Sequence, residues 1–209
     1  FNWHRIRSLT KMLAMGSVIA WTLLMAEGQI NGLVFFLISA QLFGLLGDFF
    51  LLLQNKWFLW GLGAFLAGHL LYLALFLIQL KIELRVGGIA SRSIFGGILV
   101  LVGWSLFLRY FYRLFRSLSD GKHIWRPIQV YAWTLSGMAA AALILVVLLS
   151  DYTKDNLMLP IGAVLFTISD LLLAYSRFIK PVQNAKLLVR ITYHLAQFSL
   201  AWGLIHLLG

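Results

Sequence analysis

The chain has 209 residues, 61% of them hydrophobic and 11% charged, with a mean hydropathy of +0.89 and a formal net charge of +10. Soluble domains are about half apolar and about a quarter charged, so no water-soluble fold of this length hides so much apolar surface, whereas a bilayer removes the need to. The lack of cysteine excludes disulfides and thiolate metal sites. The basic residues lie between apolar runs instead of on one polar face, which excludes a nucleic-acid partner and suits anionic lipid.

A spanning helix needs about 20 mostly apolar residues. Stretches of that kind recur in the order Leu9–Ala26, Gly32–Leu53, Trp57–Leu80, Ile94–Phe111, Ile128–Ser150, Leu157–Ser176 and Leu187–Leu208. The loops between them are short. Residues 1–209 therefore read as a single transmembrane domain, an all-α, polytopic bundle with seven visible spans. The longest polar stretch, Arg109–Pro127, reads as the basic end of the fourth span followed by a connector.

Lysine and arginine set the topology. One set of span ends holds Arg5, Arg7, Lys11, Lys56, Arg109, Arg113, Arg116, Lys122, Arg126, Arg177, Lys180, Lys186 and Arg190; the other holds only Lys81, Arg85, Arg92 and Lys154. The richer side is expected to be cytoplasmic, with the first span starting inside and the last ending outside. In a bacterium this would be the cytoplasmic membrane.

A weak repeat runs through the chain. The second span carries Gly47-Asp48 and the sixth Ser169-Asp170, each followed by a leucine-rich run; the spans after them carry His69-Leu70 and His194-Leu195. Spans four apart point the same way, as a parallel 4+4 repeat requires. The fourth span then lacks a partner, so an eighth helix is expected before Phe1.

Of the seven acidic residues, only Asp48 and Asp170 fall inside spans. A charge at bilayer depth costs at least about 2.5–3.5 kcal/mol, so such residues face the bundle interior and carry function. At 1.5 Å per residue, Asp48 lies about 8 Å from the basic end, Asp170 about 9 Å, His194 about 10 Å and His69 about 18 Å. The two carboxylates share a level, as in a cleft opening towards the cytoplasm. Gln41, Gly44 and Asp48 form one stripe; Gly61, Phe65, His69 and Tyr72 another; Arg190, Tyr193, His194 and Gln197 a third. A buried imidazole bonded to a carbonyl is the plainer account of both histidines, and packing is the plainer account of Tyr72, Tyr131 and Tyr193.

These residues resemble the YhhN-type lysoplasmalogenases, integral membrane alkenyl-ether hydrolases. The similar stretches are Leu46–Leu53, Gly61–Tyr72, Val130–Ala139, Gly162–Ala174 with Arg177-Phe178, and Thr192–Gln197, in the family's order. Thr10-Lys11 looks like the family's Thr-Lys start of a second helix, although Met12 stands where proline is usual. Tyr193-His194 replaces an expected aromatic pair, which weakens a catalytic role for His194.

The resemblance implies hydrolysis of the vinyl ether of a lysophospholipid to a fatty aldehyde and a glycerophospho-base, with no metal and no cofactor. Acid cleaves vinyl ethers where hydroxide does not. Protonation of the β-carbon gives an oxocarbenium ion that water traps. Asp48 and Asp170 are the expected acid/base pair, because two neighbouring carboxyls in low dielectric do not readily ionise together. His69, Tyr72, Tyr131, Tyr193, His194 and Gln197 are the expected substrate-binding residues, with Arg177, Lys186 or Arg190 on the phosphate. Membrane lipid is the other expected partner, and a homodimer is compatible with this picture. Two alternatives stand beside it: a zinc-dependent hydrolase using His69, His194 and the aspartates, and a proton-coupled transporter using Asp48, Asp170 and His69 as a relay.

Overall fold

A computed structural model describes residues 3–27, 31–53, 55–86, 91–118, 125–149 and 153–208. Lys122, Asp120 and Asp151 lie outside the described residues, as do the side chains of Arg5, Arg7 and Arg92. Among the described residues the chain forms seven α-helices and no strand: α1 Trp3–Met25, α2 Gly32–Leu52, α3 Phe58–Val86, α4 Ser91–Leu118, α5 Trp125–Leu148, α6 Met158–Phe178 and α7 Ala185–Leu208. The expected all-helical bundle is what the chain builds.

Local chemistry accounts for the helix ends. Asn31 caps α2 by accepting from the backbone N–H of Leu33 at 3.0 Å and Val34 at 2.9 Å. Pro127 and Pro160 each fall in the first turn of a helix, where a missing N–H costs nothing. Asn184, at φ 58°, takes the left-handed turn before α7. Arg109–Leu118 forms the basic end of α4, as expected, and carries the helix past its apolar run, because polarity marks where a helix leaves apolar surroundings, not where it ends.

Four helical segments are long and apolar enough to cross a membrane as they stand: Gly32–Leu52, Phe58–Arg85, Arg126–Leu148 and Lys154–Phe178. Shorter apolar runs lie within α1 (Thr10–Met25) and α4 (Ile94–Tyr110). The outer surface carries large apolar side chains such as Leu24, 77% exposed, and Trp60, 64% exposed, while Gln41, Asp48, His69 and Gln197 are buried. Polar groups inside and apolar groups outside is the arrangement lipid demands. This is a membrane protein.

Six helices close a ring in the order α1, α2, α3, α5, α6, α7, with α2 touching α7 across it. The fourth helix lies outside and packs along α5. The ring is two-fold in its sequence of contacts: α1–α2–α3 on one side repeats as α5–α6–α7 on the other, matching the pairing of the aspartate-bearing spans. Its tightest seam is α6 on α7. A Cβ at Gly162 would stand 2.9 Å from the Leu200 backbone nitrogen and 3.0 Å from the Ala196 carbonyl oxygen, and one at Gly203 3.0 Å from the Leu159 nitrogen. Backbone cannot yield as a side chain does.

Gly162→Ala should therefore lower unfolding stability in detergent by about 1–3 kcal/mol. Gly63→Ala, which meets nothing within 4 Å, should be at least as stable as the parent. Equal melting of Gly162→Ala and the parent would contradict the close α6–α7 approach.

Candidate active site

The buried ionisable groups gather into two centres. The first is built on Asp170, on the inward face of α6. Tyr131 of α5 donates its hydroxyl hydrogen to Asp170 Oδ2. His69 of α3 brings Nε2 to 3.0 Å from the same oxygen and 3.0 Å from the Tyr131 hydroxyl. Both contacts fall on Oδ2, so Oδ1 accepts no hydrogen bond among the described residues. His69 Nδ1 is buried with no hydrogen-bond partner among the described residues, and its ring lies edge-on to Phe166 at 4.5 Å between centroids.

A cleft between α4, α5 and α6 leads to this centre. Phe107, Ile128, Tyr131, Ala132, Leu135, Ser136, Thr167, Asp170, Leu171 and Ala174 line about 340 Å³ of empty space, the open mouth included. The walls are apolar. Ser136 and Thr167 spend their hydroxyls on the Trp133 and Ala163 carbonyls of their own helices, which leaves the Asp170 centre as the polar feature of the floor.

The second centre is built on Asp48, on α2 and fully buried. Lys11 Nζ of α1 stands 2.6 Å from Asp48 Oδ1, while Oδ2 has no hydrogen-bond partner among the described residues. The Tyr193 hydroxyl of α7 lies beside the carboxylate and donates to Met15 Sδ at 3.6 Å. Gly44, one turn before Asp48, makes the approach feasible: a Cβ there would fall 2.8 Å from the Tyr193 hydroxyl and 2.9 Å from Gln197 Nε2. Gln197 Oε1 in turn accepts from the Tyr72 hydroxyl at 2.6 Å. Further from the basic end, Gln41 Nε2 donates to Thr22 Oγ1 at 2.8 Å.

The two centres obey the two-fold of the ring. Asp48 is met by Lys11 from the helix before it and by Tyr193 from α7; Asp170 is met by Tyr131 from the helix before it and by His69 from α3. No hydrogen bond joins the carboxylates among the described residues. Phe166 and Tyr193, in edge contact at 5.4 Å, lie along the path between the centres. The expected acid/base pair, Asp48 and Asp170, thus shares no hydrogen bond among the described residues.

The other expected residues divide between these places. His69 and Tyr131 join Asp170; Tyr72, Tyr193 and Gln197 join the Asp48 side. The His69–Asp170 contact corrects the depth count, which put His69 well above Asp170: helices start at different heights and cross at angles, so residues from an end do not measure level. His194 sets Nδ1 2.7 Å from the Arg190 carbonyl and Nε2 3.2 Å from the Lys11 carbonyl, a link between α7 and α1. Arg190 Nε is buried and has no hydrogen-bond partner among the described residues. Arg177 is exposed, with its guanidinium 4.9 Å from the Phe58 ring centroid. Among the described residues no three His, Asp or Glu groups come together as a metal site would require, and His69 and His194 sit in different centres. Sequence reasoning missed Lys11 as a site residue. Its place inside an apolar run, rather than beyond one, was the available signal.

Buried aspartates held from neighbouring helices, one of them beside an apolar cleft, mark a membrane protein with an ionisable interior. The chain belongs to the YhhN family, the family of lysoplasmalogenases, whose model matches residues 6–204. No curated protein and no solved structure matches it.

Removing one partner of a buried ion pair strands the other charge. Lys11→Met should destabilise the protein by about 3 kcal/mol, and Asp48→Asn added to it should recover part of that loss. Unchanged stability in Lys11→Met, measured by chemical unfolding in detergent, would show that the pair is not formed.

Proposed function

We propose that the protein hydrolyses the vinyl-ether bond of a lysoplasmalogen, and that Asp170 is the carboxyl that meets the substrate. The observation that carries this is the Asp170–Tyr131–His69 centre at the floor of an apolar cleft, together with membership of the family.

The chemistry asks for little more. A proton passes from the Asp170 centre to the β-carbon of the vinyl ether, and the π pair of the double bond forms the new C–H bond. The α-carbon becomes an oxocarbenium ion bound to the glycerol oxygen. Water adds to that carbon and gives up a proton to the carboxylate, forming a hemiacetal. Collapse of the hemiacetal breaks the carbon–oxygen bond to glycerol while the hydroxyl proton passes to the departing glycerol oxygen, giving one fatty aldehyde and one glycerophospho-base per water consumed. Tyr131 and His69 hold Oδ2 and leave Oδ1 to face the substrate. Asp48, held by Lys11 beyond Phe166 and Tyr193, acts on the cation as a second negative group through space and not by contact. By the positive-inside rule the end nearest these centres is cytoplasmic, which puts the mouth for the head group on the cytoplasmic side of an integral membrane enzyme.

Proton-coupled transport is the second function to weigh, because the interior polar groups run through a ring that is two-fold in its contacts. Solute uptake by proteoliposomes without aldehyde release would favour it.

Purified protein should release aldehyde from lysoplasmenyl-ethanolamine, and Asp170→Asn should lower the rate at least about 100-fold, the usual share of a positioned acid. Asp48→Asn should also lose most activity, and Tyr131→Phe should lose less than Asp170→Asn. Near-parental turnover by a folded Asp170→Asn variant would sink the assignment.

A further inference from the structure

We infer that α4 carries a docking surface for anionic phospholipid of the cytoplasmic leaflet, built on Arg109 and Arg113 and lying on the face turned away from the bundle. The surface is independent of the reaction proposed above.

The faces of α4 are fixed by what they touch. A Cβ at Gly96 would meet Val147 of α5, and Trp104 lies 3.8 Å from where Gly137 of α5 would carry one. Phe107 lines the cleft. At about 3.6 residues per turn these three positions fall on one side of the helix. The opposite side carries Phe95, Ile98, Val102 and Leu106, all exposed, and then Arg109, Arg113 and Arg116, exposed as well. The apolar run of α4 ends at Tyr110. One stripe therefore passes, within a turn, from carbon facing hydrocarbon to guanidinium groups at the level of the lipid head groups.

The positive-inside rule asks for basic residues at this end of a span, not for a face. Their gathering on the lipid side, in line with the apolar stripe, is what contact with a lipid phosphate requires. The charge has no counterpart on the helix, since α4 carries no acidic residue. Asp48 and Asp170, the acids inside spans, are held by partners of their own. Arg116 donates to the Tyr112 hydroxyl at 2.9 Å, with its guanidinium 5.7 Å from that ring, which keeps it along the helix. Arg109 and Arg113 make no hydrogen bond or ion pair among the described residues. Their stems are long enough to lie on the apolar stripe while the planar heads meet phosphate oxygens in pairs. An anionic leaflet brings negative charge to that level. Tyr110, also exposed, adds an aromatic ring of the kind that settles among head groups. Lipid bound there grips the helix that brings Phe107 to the cleft, from the side opposite the ring.

The absence of native cysteine permits a direct test. Ser105→Cys, exposed one turn before Arg109 on the same side of α4, is labelled with bimane. The protein is reconstituted in phosphatidylcholine membranes holding a minor share of phosphatidylglycerol with a nitroxide on its acyl chain, or of phosphatidylcholine labelled alike. Quenching should give the anionic lipid a relative binding constant at least about fivefold above the neutral one, the worth of one arginine near an anionic surface. Arg109→Gln with Arg113→Gln should bring the two lipids level, and Arg109→Lys with Arg113→Lys should keep most of the preference. Lys56→Gln with Lys180→Gln, which removes two exposed charges elsewhere at the same end, should leave it unchanged. Equal quenching by both lipids in the parent would overturn the surface. So would a preference that survives the loss of Arg109 and Arg113, or one that falls as far with Lys56 and Lys180. Quenching by neither lipid, the result if a second copy of the chain covers this face, would overturn it too.

Discussion

A carboxylate at bilayer depth has no solvent to turn to, so the protein must supply every partner it has. That requirement organises the bundle. Asp170 is met by Tyr131 and His69 from two other helices, and Asp48 by Lys11 and Tyr193 from two more. Each set of partners fixes three helices against one another at a common point. The glycines follow from the same need. Without a bare Gly44 the Tyr193 hydroxyl and the Gln197 amide could not reach the α2 face, and the Asp48 carboxylate would face only carbon on that side.

The two centres occupy equivalent places in the ring and differ in chemistry. Where one has the ammonium of Lys11, the other has the phenol of Tyr131. Where one has Tyr193, with the neighbouring His194 turned to backbone carbonyls, the other has His69 turned to the carboxylate itself. A doubled scaffold with unlike partners lets one aspartate be sealed and the other sit on a cleft. Asp48 is fully buried, whereas Asp170 keeps 7% exposure and lines the opening.

Much of this was legible in the chain because apolar runs and charges inside them are strong signals. The seven helices lie where the spans were expected, and Asp48 and Asp170 stand out as the acids within them. What was not legible depends on how helices meet. Lys11 counted as a topological charge until α1 packed beside α2. His69 looked too deep for Asp170 because helix ends are not a common ruler. His194 bonds to backbone carbonyls, the plainer account of a buried imidazole, but the same His-Leu signature did not reveal that His69 would turn to a carboxylate instead. A cleft beside the carboxylates was expected, but not its walls, since these exist only because α4 stands outside the ring and α3 packs on α5 in its place, a neighbour relation that no periodicity records.

The position of α4 has a mechanical consequence. The six ring helices each have neighbours on two sides, so widening any seam of the ring strains two interfaces and threatens the partners of a buried carboxylate. The fourth helix packs along α5 and reaches towards α6 through Phe107. Moving it against α5 would strain one interface and none of the hydrogen bonds or ion pairs that hold the buried carboxylates. The ionisable groups are thus held by the closed ring, while one wall of the opening beside Asp170 belongs to a helix outside it, so a change in that wall need not pass through the partners of either carboxylate.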